Sequence, residues 1–244
     1  MTEDEIQRLF NELRDNDLQV RLEATKALGK MGAVAVPALV KALEEDKEWQ
    51  VRLEAVESLG NIGPDAREAL STLVKTLGDE DRDMRLEATK ALGKMGAAAV
   101  PALVKALEED KEWQVRLEAV ESLGNIGPDA REALPSLTKA LGDSDNWVRR
   151  WSIEALGKVG PDAREAVPTL VKTLKHAEWQ VRKQVVEVLG NIGNEAAVPA
   201  LINALKDKDN WVRLEAVDAL CNIGPDAREA IPALVKTLRD KDKG

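Results

Sequence analysis

The segment from Leu22 to Leu70 returns almost letter for letter from Leu86 to Leu134, with Ala98 in place of Val34 as the only change. A shorter unit, R-x-x-[ASV]-x-x-x-L-[GC]-x-[IMV]-G, runs through the whole chain. Its arginine falls at Arg21, Arg52, Arg85, Arg116, Arg149, Arg182 and Arg213. Successive arginines stand 31 or 33 residues apart. A unit this short cannot bury its own apolar face, so each copy must stack on its neighbours and the chain must fold as a repeat array. One repeat domain over residues 1–244 is the expectation. The functional question then concerns an extended surface rather than a cleft.

Apolar spacing within a unit defines two helices. Val36-Pro37-Ala38-Leu39-Val40-Lys41-Ala42-Leu43 has helical periodicity and predicts the first. The polar turn Glu44-Glu45-Asp46-Lys47 ends it, with Asp46 placed to cap a second helix starting near Trp49. That second helix turns Val51, Ala55, Leu59 and Ile62 inward, and Gly63 stands where a left-handed C-cap is wanted. Gly60, inside the helix, costs about 1 kcal/mol against alanine, and its recurrence predicts close approach of a neighbouring backbone. Cys221 replaces it in the last full unit.

The longer units carry Gly-Pro-Asp-Ala-Arg-Glu, first at Gly63 to Glu68, in which the aspartate reads as an N-cap and the glutamate completes a capping box. A proline follows, deep enough in the first helix to predict a kink, and Ser71, its one replacement, predicts a straighter helix. Unpaired capping helices are expected at 2–14, with Thr2 as cap, and at 227–238, both with polar outer ends.

Several chemistries are excluded early. The net charge is −9 and the pI near 5.0, so a phosphate backbone is repelled on average. On the second helices Lys26, Lys30, Lys90, Lys94 and Lys158 alternate with Glu23, Glu54, Glu57, Glu87, Glu118, Glu121, Glu154, Glu187 and Asp218, which leaves no basic stripe for nucleic acid. Cys221 has no disulfide partner. No apolar run reaches the ~20 residues of a membrane span, and the acidic start Met1-Thr2-Glu3-Asp4-Glu5 is not a signal peptide. A cytoplasmic protein without a membrane partner is expected. The sole histidine, His176, lies in a turn where other units have aspartate. One histidine and one cysteine make neither a zinc set nor a nucleophile–base pair. No catalytic residue, metal or cofactor is expected, and the chain is not read as an enzyme.

The pattern Asp-x-x-Val-Arg-x-x-Ala-x-x-x-Leu-Gly-x-Ile-Gly, repeated with small departures from about Glu5 to Leu238, resembles the HEAT repeat. It is nearest to the short HEAT-like repeats of the phycobilisome-lyase type and to artificial consensus proteins built from them. The resemblance implies an all-α fold, an α-solenoid of about 15 helices wound as a right-handed superhelix, with second helices lining the concave face. It implies that the repeated arginine forms a ladder with turn aspartates. It also implies a non-catalytic, protein-binding scaffold, or alternatively a subunit of a bilin lyase or isomerase complex.

Tryptophan is the departure from a bland array. Trp49, Trp113 and Trp179 stand two places before the repeat valine, Trp147 and Trp211 one place before it, and Trp151 one turn later. With Leu53 four places after Trp49, Leu117 after Trp113 and Trp151 after Trp147, they predict an apolar strip across successive second helices, because residues four apart share a helix face. Two roles are open: a seal between adjacent units, or a binding strip for a protein or peptide, or for a second copy if no partner is present. Trp147, Arg150 and Trp151 depart furthest from the other units and mark the expected centre.

Overall fold

In the computed structural model, which describes residues 3–175 and 178–241, each repeat resolves into a shorter and a longer helix. Thr2 and His176 lie outside the described residues. The chain divides into two compact units, Met1–Leu123 and Gly124–Gly244. The first holds α1 (Glu3–Glu12), α2 (Leu18–Gly29), α3 (Val36–Glu45), α4 (Trp49–Ile62), α5 (Leu70–Thr76), α6 (Arg82–Lys94), α7 (Val100–Glu109) and most of α8 (Trp113–Ile126). The second holds α9 (Leu134–Ala140), α10 (Asn146–Val159), α11 (Val167–Thr173), α12 (Trp179–Ile192), α13 (Val198–Ala204), α14 (Asn210–Ile223) and α15 (Ile231–Lys241). Odd-numbered helices are first-type and even-numbered ones second-type. No strand occurs among the described residues.

The core is made where a first-type helix lies on a second-type one. Leu28, Leu39, Leu59, Leu73, Leu92 and Leu103 are fully enclosed in the first unit, and Leu137, Leu156, Leu170 and Leu189 in the second. Each contributes roughly 1.5–3 kcal/mol by leaving water. Second-type helices also pack side by side: α2, α4 and α6 in the first unit, α10, α12 and α14 in the second. The recurrent mid-helix glycine permits this. A Cβ added at Gly60 would lie 2.7 Å from the Ala91 Cα, and one at Gly190 2.7 Å from the Ala219 Cα. Cys221 is exposed, and no second-type helix follows α14 among the described residues to meet its side chain.

Three local expectations are corrected. Asp46 does not cap α4: the N-cap is Glu48, whose side chain makes no capping bond. Asp46 accepts from the Glu48 amide at 2.9 Å and binds Arg21 instead. True aspartate caps occur where the sequence places Asp at that N-cap, as with Asp145 accepting from the Trp147 and Val148 amides. Second, the aspartate of Gly-Pro-Asp-Ala-Arg-Glu is not an N-cap. The whole Gly63–Ala69 segment is a 3-10 helix with a bend at Ala66, and α5 begins only at Leu70. Third, the proline causes no kink. Pro37, Pro135 and Pro168 sit in the first turns of α3, α9 and α11, where the missing amide has no partner to lose. The Ser71 unit bends at Ala66 like its proline-bearing counterparts at Ala130 and Ala163, so the bend belongs to the glycine-led 3-10 segment.

The arginine ladder forms in a two-part manner. Arg21, Arg85 and Arg182 each span to an aspartate of the next turn: Arg21 Nε to Asp46 at 2.9 Å, Arg85 Nε to Asp110 at 2.7 Å, and Arg182 Nε to Asp207 at 2.8 Å. Arg52, Arg149 and Arg213 donate through Nη1 to carbonyls of their own turn, those of Asp46, Asp143 and Asp207. The described helix bounds differ slightly from the expected capping helices, with α1 ending at Glu12 and α15 beginning at Ile231. The outer end at α15 is not polar: Ile231 is exposed there, whereas the equivalent Val36 and Val100 are buried, and Val235 is exposed where Val40 and Val104 are half-buried.

Candidate functional site

The first two turns of the second-type helices carry the sequence-predicted residues. Their register is set by the buried Val51, Val115, Val148, Val181 and Val212. Against that register the tryptophans fall into two files about 100° apart on the helix. Trp49, Trp113 and Trp179 belong to one file, with Leu53 and Leu117 one turn on and half-buried. Trp147 and Trp211 belong to the other, with Trp151 below Trp147 at the place held by Glu54 and Glu118 elsewhere. The expected single strip is therefore two.

Five of the six tryptophans are open to solvent. Trp49 is 53% exposed, Trp113 37%, Trp147 53%, Trp179 36% and Trp211 57%. Trp151 is half-buried. The valine in the first turn of each of these helices, and the leucine eight residues after that valine, are enclosed.

Two cation–π contacts hold the rings at the expected centre. The Arg150 guanidinium lies over the Trp147 ring, 5.6 Å from its centroid. Trp151 is covered instead by Lys158, whose ammonium is 5.9 Å from that ring. Cation–π contacts of this kind contribute about 0.5–1 kcal/mol at exposed sites and hold the rings in defined orientations. Trp147 and Arg150 also line a pocket of about 240 Å³ between α10 and α12, together with Leu141, Arg149, Ile153 and Val181. Arg149 had only a ladder role in the sequence. The signal for more was the neighbouring turn, where His176 replaces the usual aspartate.

Around the tryptophans the charges are interleaved across helices. In the first unit Lys26 reaches Glu54 at 3.5 Å and Lys94 donates to Asn61 at 2.7 Å. In the second, Lys183 meets Glu215 at 2.8 Å and Lys158 donates to Asn125 at 3.3 Å. Burial pushes the carboxyls of Glu54 and Glu118 up, aided by Glu57 and Glu121 respectively and opposed by the nearby lysines. The Lys183 ammonium is raised by its bond to Glu215. Among the described residues no group of three or more His, Cys, Asp and Glu side chains is placed to hold a metal, and no helix is long and apolar enough to cross a membrane.

The family model for HEAT repeats matches residues 6–70, 36–110, 100–176 and 167–244, nearly the entire chain. The chain belongs to the HEAT-repeat family. Among solved structures it is similar to the complex of CpcE and CpcF of phycocyanin lyase from Nostoc sp. PCC7120. That likeness has 26% identity, 95% of this chain and 94% of that one covered, and a TM-score of 0.53. It is also similar to importin beta, at 17% identity over 95% of this chain and 38% of that one, with a TM-score of 0.67. A third likeness is to Kap95p bound to RanGDP, at 15% identity over 96% of this chain and 38% of that one, with a TM-score of 0.66. The importin-type likenesses establish the α-solenoid fold. No curated protein sequence matches the chain.

Proposed function

We propose that this HEAT-repeat chain is a non-catalytic scaffold that binds a protein partner through the outward face of its second-type helices, the concave side in the HEAT-repeat resemblance. The observation that carries the reading is the exposure of five tryptophans in the first turns of second-type helices. An exposed tryptophan leaves a large apolar surface in water for no gain in folding, whereas a protein interface uses it as an anchor. The contact surface joins the two files, Trp49 and Leu53, Trp113 and Leu117, and Trp179 in one, Trp147 with Trp151, and Trp211 in the other, with Arg150 beside Trp147. Its centre is at Trp147.

The double change Trp147→Ala with Trp151→Ala tests this. Truncating interface anchors commonly removes at least ~2 kcal/mol of binding each. Partner capture should fall by more than an order of magnitude while the thermal melt stays nearly where it was. A melt lowered by several kcal/mol, with capture intact, makes these residues a seal between repeats and removes the proposal. A second copy of the chain is the alternative occupant, and sedimentation of both proteins separates it from a foreign partner.

A second reading rests on the phycocyanin-lyase likeness, which spans nearly all of both chains. It makes this chain one subunit of a bilin lyase or isomerase complex. Incubation with a bilin and an apo-phycobiliprotein, followed by absorbance, decides it: covalent pigment in the apo-protein supports the lyase reading, and an unchanged spectrum with partner capture elsewhere supports the scaffold.

A further inference from the structure

The ladder arginine of α10 differs from its counterparts in what surrounds it. In α2, α6 and α12 the Nε and Nη2 edge of this arginine holds an aspartate, Arg182 with both bonds short at 2.8 and 2.7 Å. Arg149 keeps only the inner bond, Nη1 to the Asp143 carbonyl. Among the described residues no carboxylate reaches its Nε or Nη2. Arg52 and Arg213 likewise bond to carbonyls, but Arg149 also lines the pocket beneath Trp147, beside Arg150. Arg149 and Arg150 thus both border one small cavity, with Trp147, Leu141, Ile153 and Val181 and the polar Asn146 and Thr173 among its other walls. Glu178 lies on the lining as well and is engaged with a partner of its own.

A guanidinium edge presents two parallel N–H donors, a spacing that matches the two oxygens of a carboxylate. Three copies of the same arginine in this chain already hold an aspartate in that way. At about 240 Å³ the pocket is smaller than a drug-sized or cofactor site, which takes ~300–1,000 Å³, and fits one or two amino-acid side chains. We infer that this pocket receives an aspartate or glutamate side chain of the partner protein, its carboxylate clamped by Arg149 and Arg150 and an adjacent apolar residue packed against Trp147 and Ile153. The inference rests on the binding surface proposed above and specifies what the partner must present to it. It also accounts for Arg150 standing where Leu53 and Leu117 stand in other repeats. Its guanidinium stacks on Trp147 and remains exposed to a second contact.

The test uses the full chain and short random peptides displayed on phage, with binders synthesised in end-blocked form and titrated by fluorescence polarisation. Binders weakened by Trp147→Ala should share one acidic residue beside an apolar one. Replacing that acid by its amide should weaken binding by about ten- to a hundredfold, the usual worth of a charged hydrogen-bonded pair. Arg150→Glu, which alters no hydrogen bond of the fold, should weaken the acidic peptide by a similar factor and leave its amide version nearly unaffected. Arg149→Lys should act in the same direction if its melt is unchanged, because a lysine lacks the paired donors. If Trp147-dependent binders are indifferent to the amide change and to Arg150→Glu, the carboxylate clamp is wrong while the tryptophan surface stands. Binders that ignore Trp147→Ala, or a library that yields none, overturn both the clamp and the surface.

Discussion

The Arg85–Asp110 pair shows what a single residue contributes here. Both side chains are only 7% exposed, and Arg85 is bonded on three of its donors' sides, to Asp110, Asp79 and Glu80. Asp110→Ala leaves Arg85 with its two carbonyl bonds and removes the charged ones, a loss of roughly 1.5–3 kcal/mol, read as a lowered urea midpoint at unchanged slope. The acid limb of stability follows from the same chemistry. The bond from Arg182 is the main cause holding the Asp207 carboxyl below its ordinary range. Its contribution is complete above the unfolded-state value of about 4 and is lost as pH falls through the depressed folded value. Asp207→Asn should therefore lower stability at neutral pH and narrow the gap to the parent below pH ~4. Glu118 has the opposite sign. Burial raises its carboxyl, so its ionisation on the folded protein opposes stability as pH rises above the unfolded value. Glu118→Gln should stabilise modestly at pH 7, with the advantage disappearing near pH 4; an advantage that grows on acidification contradicts this account.

At the scale of the element, the glycines and prolines mark where helices meet and where they start. Gly60→Ala adds a methyl that would stand 2.7 Å from the Ala91 Cα, so α4 and α6 must part. Helix propensity alone favours alanine by about 1 kcal/mol, and a net loss of stability in thermal melts would show that inter-helix contact outweighs it. Cys221→Ala, at the equivalent but exposed place in α14, should be neutral or slightly stabilising. Ser71→Pro restores the residue found in the other first-type helices. Leu70 and Leu134 share nearly the same backbone before this site, φ −53° and −52°, so the substitution should gain about 0.4–1 kcal/mol through the unfolded chain. A loss would mean that the Ser71 amide is needed. These cases also show how far the repeat could be read from sequence. Val36 to Leu43 and Trp49 to Ile62 announce their helices by periodicity. The 3-10 course of Gly63–Ala69 was not legible, because a capping box and a bent 3-10 turn use the same residue types and differ only in backbone angles.

Within each compact unit, second-type helices of adjacent repeats pack on one another: α2 on α4 and α4 on α6 in the first, α10 on α12 and α12 on α14 in the second. Leu59→Ala empties a fully enclosed site in α4, a change costing roughly 2–5 kcal/mol. In a nearest-neighbour array that cost should appear as lost amide protection in α2, α4 and α6 and fade towards α12 and α14. An equal loss of protection in every helix would show one global cooperative unit. The repeat period, the helix pairs, the buried leucines and the close approach at Gly60 were all determined by sequence alone, since a recurring apolar pattern can bury itself in few ways. The tertiary structure decided the rest. Whether Trp147 is a seal or an exposed ring depends on how much of the layer Val148 and Leu156 already fill, a matter of volume and not of pattern. That the turn after Arg149 offers no aspartate is written in the sequence at His176, but that Arg149 lines a pocket with Trp147 and Val181 is decided by packing. Residues far apart in the chain set both, and only the folded packing brings them together.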